Sequence, residues 1–175
     1  MALTKWQPPL PRQLLDGESR VTWLELFFDL IYVAALIQLG DRLAGDVSIT
    51  GVLRFTGAFV ILWWTWTGTT AFMNRFAVDD VPHRFLMFVQ MFAVGQFAII
   101  AATAETDRAR WLPLAYIAAR IPLLIMYLRV RTSLPETRPL VDLYLRSFAG
   151  SLVLWAGSLL VPTPARYWIW ALALG

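Results

Sequence analysis

Five apolar runs, each about 17–21 residues long, leave few folds open to this chain. They cover residues 21–39, 52–72, 85–104, 112–128 and 143–160. At about 1.5 Å of rise per residue, each is long enough to cross a hydrocarbon core of about 30 Å. A segment in lipid must satisfy its own backbone hydrogen bonds, so each run is predicted to be a helix. The strands of a membrane barrel would be shorter and would alternate in polarity. Charge or proline marks the segments between: "GDRLAGDVS", "NRFAVDDVPHR", "AETDRAR", "RVRTSLPETRP" and "VPTPAR". The expected fold is all-α, a polytopic transmembrane helical bundle with five full spans. A sixth apolar run begins at Tyr167 and stops at Gly175, too short to cross, so the chain is read as the N-terminal part of a larger bundle. Residues 1–20 are expected to form a cytoplasmic segment and 21–175 a transmembrane helical domain.

Composition narrows the function. The chain of 175 residues is 58% hydrophobic and only 15% charged, whereas a soluble domain holds about a quarter charged residues. Its net charge of +3 would suggest nucleic acid in a soluble protein. In a membrane protein the same excess marks cytoplasmic loops, so no nucleic-acid partner is expected and the lipid bilayer is. With the N-terminus inside, Lys5, Arg12, Arg20, Arg75, Arg84, Arg129, Arg131, Arg138 and Arg146 fall on the cytoplasmic side. Arg42, Arg54, Arg108, Arg110 and Arg166 fall on the far side, and Arg120 lies within a span. Nine against five favours a cytoplasmic N-terminus. The first twenty residues lack the order of a cleavable signal peptide, so the first span is read as an uncleaved anchor. The chain has no cysteine and one histidine, His83, so neither a thiolate centre nor a multi-histidine metal site is expected, and no cofactor.

The first run, "RVTWLELFFDLIYVAALIQL", carries two acids, Glu25 and Asp29, one helical turn apart. On a helix these positions and Tyr32 line one stripe. Glu25 lies about 6 Å past the start of the span and Asp29 about 12 Å, near the bilayer centre. An Asp there costs roughly 2.5–3.5 kcal/mol on insertion scales. Two ionised carboxylates about 6 Å apart also repel by about 3 kcal/mol at an effective dielectric of 20. At least one acid must be protonated, paired with a cation or open to water. The fourth run offers Arg120 about 12 Å from its start, with Tyr116 one turn earlier. Asp29 and Arg120 are therefore predicted to meet near the midplane as a bidentate ion pair. Such a pair could fix helix register, or belong to a proton or ion path with Glu25, Asp29, Arg120 and Tyr116 as its residues.

Other polar features admit plainer readings. In the second run, Trp63, Trp64 and Trp66 sit near the middle, interleaved with Thr65, Thr67, Thr69 and Thr70. The hydroxyls can bond to carbonyls one turn back, or line a polar path walled by aromatics. The turn "NRFAVDDVPHR" holds Asn74, Arg75, Asp79, Asp80 and Arg84. Asp79 and Asp80 suit a helix cap with Pro82 in the first turn, and the cluster could alternatively act as a cytoplasmic gate. Arg54 and Arg146 are expected to snorkel to headgroups. In the fifth run Ser147, Gly150, Ser151, Gly157 and Ser158 form a small-residue stripe that suits close helix contact. No phosphate loop, nucleophile elbow or intramembrane protease pair is present, so no catalytic residues are expected and the chain is not read as an enzyme.

Three stretches resemble a known family. "TWLELFFDLIYVAALIQL" (22–39) is similar to the opening helix of the bacterial low temperature requirement protein A family, whose hallmark is a Glu-Leu-Phe-Phe-Asp-Leu core. "NRFAVDDVPHRFLMFVQMFAV" (74–94) resembles its second motif and "AYIAAR" (115–120) its third. The likeness runs from about Arg20 onward, although the family has Asp-Thr where Ala77 and Val78 stand. It implies a multi-pass protein of the bacterial inner membrane, linked to growth in the cold, whose second half carries another acid-bearing helix. The leading expectation is a transporter or channel for protons or small ions. The alternative is a non-transporting scaffold that supports envelope function at low temperature, and a membrane-embedded enzyme on lipid substrates ranks third. A homo-oligomer is also considered.

Overall fold

The computed structural model describes residues 9–11, 22–103, 111–162 and 165–174. Most of segment 1–20, residue 104 at the end of the third run, and Lys5, Arg12, Arg20, Arg108 and Arg110 of the charge tally lie outside the described residues. Within them the chain forms α1 (Trp23–Gly45), α2 (Ile49–Arg75), α3 (Val81–Thr103), α4 (Leu112–Ser133), α5 (Arg138–Gly157) and α6 (Ala165–Leu174). Short 3-10 turns, Pro135–Thr137 and Ser158–Leu160, flank α5. Helices α1 to α4, and the stretch Pro135–Leu160, are long and apolar enough to cross a membrane. The protein is an all-α polytopic bundle.

Local chemistry explains where the helices begin. Thr22 and Glu25 form a capping box: the Glu25 amide donates to the Thr22 hydroxyl (3.2 Å), and the Thr22 amide donates to the Glu25 carboxylate (3.3 Å). Ser48 caps α2, accepting from the Gly51 amide at 3.1 Å. Gly51 has no alternative there, because a Cβ would lie 1.9 Å from the Asp46 carbonyl oxygen. Asp80 receives the His83 amide at 2.9 Å and so starts α3, with Pro82 in the first turn. Helices α1, α2 and α3 run 23, 27 and 23 residues. They continue past the apolar runs because polar residues at span ends keep helical geometry into the interface. Pro122 sits inside α4, where its missing amide breaks one rung and neighbouring helices hold the backbone in place.

Helix α3 is central, packed between α1 and α4; α2 lies against α1 and reaches across to α4, while α5 and α6 extend the bundle beyond α4. The buried centre includes Phe28 and Tyr32 of α1, Phe72 of α2, Met87 and Phe97 of α3, and Leu123 and Tyr127 of α4. Large apolar side chains such as Leu30, Leu53, Phe92 and Val153 point outward, as the lipid-facing surface of a membrane protein requires. Leu10 and Pro11 pair antiparallel with Ala77 and Phe76, which puts these two residues beside the α2–α3 turn.

The small-residue stripe of α5 serves a different contact from the one expected. A Cβ at Gly150 or Gly157 would meet nothing within 4 Å, so these glycines do not bring helices together among the described residues. The serines do: the Ser151 hydroxyl donates to the Ala173 carbonyl (2.7 Å), and Ser158 accepts from the Trp170 indole (2.9 Å). These bonds tie α6 to α5.

Candidate functional site

Arg120 lies on the inner face of α4 and is 3% exposed. Its Nε donates to the Tyr116 hydroxyl one turn earlier at 2.9 Å, and Nη2 donates to the Trp64 carbonyl of α2 at 3.3 Å. The guanidinium carbon sits 5.4 Å from the Tyr116 ring centre and 5.1 Å from that of Phe148. The third nitrogen, Nη1, is buried and has no hydrogen-bond partner among the described residues. It lies against Gly68 of α2, where a Cβ would come within 2.6 Å of it. Two π faces and two neutral oxygens ease the burial of this charge by a few kcal/mol without cancelling it.

The predicted Asp29–Arg120 ion pair does not form. The Asp29 carboxylate accepts from the Trp66 indole at 2.8 Å, and among the described residues no carboxylate is paired with Arg120. The reason is helix rotation. Asp29 is exposed on the outer side of α1, while Phe28 and Tyr32 turn inward and are buried. Helix α2 supplies partners to both groups, Trp66 to the acid and the Trp64 carbonyl to the cation. Glu25 is also placed otherwise than a path residue requires: it is part-buried in the first turn of α1, with its carboxylate on the Thr22 amide. The expected stripe of Glu25, Asp29 and Tyr32 is thus split between a cap, an outer face and the core.

Polar groups continue between α2 and α3. Thr65 and Thr69 donate to carbonyls one turn back, at 2.8 and 3.2 Å, and Thr67 does the same from an exposed position. Gln90 of α3, fully buried, donates to the Thr69 hydroxyl at 2.6 Å, and its carbonyl oxygen has no partner. Thr70 and Tyr32 also hold buried hydroxyls without partners among the described residues. Buried polar atoms are nearly always satisfied, so this group of orphans in α1 to α4 requires an explanation.

The charged turn is organised differently. Asp80, 1% exposed, receives two hydrogen bonds from Arg129 of α4, at 3.2 and 2.5 Å. Arg84 binds Asp79 through two nitrogens at 2.8 and 2.9 Å. Nearby, Arg131 pairs with Asp142 at 2.5 Å. Asn74 and Arg75 are exposed at the end of α2. His83 is 6% exposed, its ring 6.2 Å from Phe72, and its Nδ1 has no partner. These contacts join the ends of α3, α4 and α5. No group of three or more possible metal ligands occurs among the described residues.

Reading the sequence missed four participants. Arg129 was counted only as a positive-inside charge, although it neutralises Asp80. Gly68, Gln90 and Trp66 drew no attention as partners. Gln90 alone carried a usable signal, one of two side-chain amides, with Gln96, in a strongly apolar run. The other three take their roles from contacts 37 to 52 residues apart.

Comparison with known proteins places these features. A protein of Rhizobium meliloti (strain 1021), named Uncharacterized protein RA0937, is 35% identical over 103 residues, which are 58% of this chain and 24% of that protein. The match thus spans about a quarter of the relative's length. No solved structure matches. The family model described as "Bacterial low temperature requirement A protein (LtrA)" matches residues 20–175, and with five stretches long and apolar enough to span a membrane, the chain belongs to that family as an integral membrane protein.

Proposed function

We propose that the protein moves protons or small ions across the membrane through the seam between α1, α2, α3 and α4. Arg120 and Tyr116 form its charged centre, and Asp29 is a titratable acid at its outer edge. The carrying observation is that Arg120, 3% exposed, presents an N–H that no described residue takes up. A purely structural charge is normally satisfied, because an orphaned buried donor costs about 1–3 kcal/mol. Orphaned oxygens of Tyr32, Thr70 and Gln90 in the same helices suit a pathway whose occupants come and go. On this reading Glu25 serves the fold and not the path. The family and the charge tally support a bacterial inner-membrane location with a cytoplasmic N-terminus.

The paired charges joining α3, α4 and α5 favour a second reading, a scaffold that supports the envelope in the cold. Reconstitution decides between them. Proteoliposomes given a pH or salt gradient should show flux with the wild type and lose it with Arg120→Met or Asp29→Asn, both still folded. A wild type that carries no flux under any gradient leaves the scaffold.

A further inference from the structure

We infer that the outer face of α1 and α2 binds a lipophilic organic cation, its charge held at the Asp29 carboxylate and its apolar body laid along the rings of Trp66, Trp63, Phe59 and Phe55. The site shares Asp29 with the proposed path. It adds a ligand that the path does not require, and it stands whether or not ions flow.

Placement of the acid is the first argument. Asp29 lies about 12 Å into its span and is exposed, on a helix whose Leu30 and Val33 also face outward. Ionisable groups at that depth almost always face the bundle interior, water or an opposite charge. Here one carboxylate oxygen accepts the Trp66 indole N–H at 2.8 Å, and no described cation pairs with the group. A neutral donor leaves the charge uncompensated. The second oxygen accepts no hydrogen bond among the described residues, and the acid stands at the surface with room before it. A cation arriving from the bilayer supplies the missing charge.

The surface beside the acid is the second argument. Ring centres of Trp66 and Trp63 lie 5.4 Å apart, those of Trp63 and Phe59 6.0 Å, and those of Phe59 and Phe55 6.1 Å. From Phe55 to Trp66 this ladder covers roughly 16 Å of helix rise, and through Trp66 it ends on the carboxylate. Trp63 is 53% exposed, and the other three rings are part-exposed. Aromatic rings attract weakly hydrated organic cations, and one carboxylate fixes where the charge settles. Other occupants fit less well. A hard metal ion needs several oxygens, and no group of three or more possible ligands occurs among the described residues. A second copy docked about a two-fold axis would bring Asp29 toward Asp29. It would offer no described cation at that depth, because Arg120 is buried and Arg42 and Arg54 stand near helix ends.

Tetraphenylphosphonium is the probe, with tetraphenylborate as an anion of the same shape, each titrated by equilibrium dialysis against the full chain in nanodiscs and against empty nanodiscs. The wild type should bind the cation saturably and the anion not. Asp29→Asn, which keeps an oxygen for Trp66, should weaken cation binding by about tenfold or more, equivalent to about 1.4 kcal/mol. Trp63→Ala should weaken it by about threefold. Phe92→Ala, which removes an exposed ring on α3, should match the wild type. If Asp29→Asn fails to fold, a photoactivatable triphenylphosphonium on the wild type tests the same site, with adducts expected in residues 26–33 or 55–67. No saturable cation binding, equal binding of the anion, unchanged affinity in folded Asp29→Asn, or adducts confined to other helices overturns the inference. Cation binding without flux of any ion in proteoliposomes leaves the site standing and removes transport. Proton or ion flux without cation binding removes the site and keeps transport.

Discussion

Where α3 begins, Arg129 meets Asp80 through two hydrogen bonds; at mid-span, Arg120 meets no carboxylate among the described residues. The two arginines share a helix, nine positions apart in the sequence, yet one is neutralised and the other is held by oxygens and rings. At the charged end, Asp80 closes a helix terminus and joins α3 to α4, so the pair is architecture. In the centre, no described carboxylate meets Arg120, and its Nη1 is left as a buried donor without a described acceptor.

The largest expected effect lies at the charged end. Arg129→Ala takes the cationic partner from Asp80, whose side chain is fully buried, and should cost about 3–5 kcal/mol of stability. Unfolding in mixed micelles would measure it, and a loss under about 1 kcal/mol would dissolve the contrast between the two regions. In the centre, Arg120→Met removes a charge with no paired carboxylate and should cost no more than about 1.5 kcal/mol, less than Arg129→Ala in the same assay. Equal losses would mean that both arginines are structural.

Thr22→Ala sharpens the comparison at the helix start. It should lower stability by about 1 kcal/mol through loss of the capping box. Glu25→Gln preserves a capping group, so it should leave both stability and flux close to wild type. A flux loss in folded Glu25→Gln would return Glu25 to the path. The smallest effect concerns Asp46, outside the spans, whose carboxyl is held below its ordinary range by hydrogen bonds from the Ser48 hydroxyl and amide. A group depressed in the folded state contributes stability above its unfolded pKa of about 3.9 and loses it as pH falls through the folded value. Asp46→Asn should therefore flatten a slight acid-side decline below about pH 4 and change nothing at neutral pH.

Much of the candidate site was visible as residue types and little of it as contacts. Asp29 and Arg120 stood out because ionisable groups in apolar runs are expensive. Their depths matched, but depth says nothing about azimuth. Phe28, one residue from Asp29, is fully buried while Asp29 is exposed, and that rotation is set by packing along all of α1. Gly68 reads as an ordinary small residue until α4 brings Arg120 against it.

Hydropathy by itself determined that this chain spans a membrane as helices, since lipid offers the backbone no partner and runs of this length can satisfy themselves only along their own axis. The local caps at Thr22, Ser48 and Asp80 were set the same way, by chemistry within a few residues. Only the tertiary structure decided which charge meets which. Pairing between spans depends on how each helix is turned about its axis, a consequence of many side chains packing at once and not of any single motif.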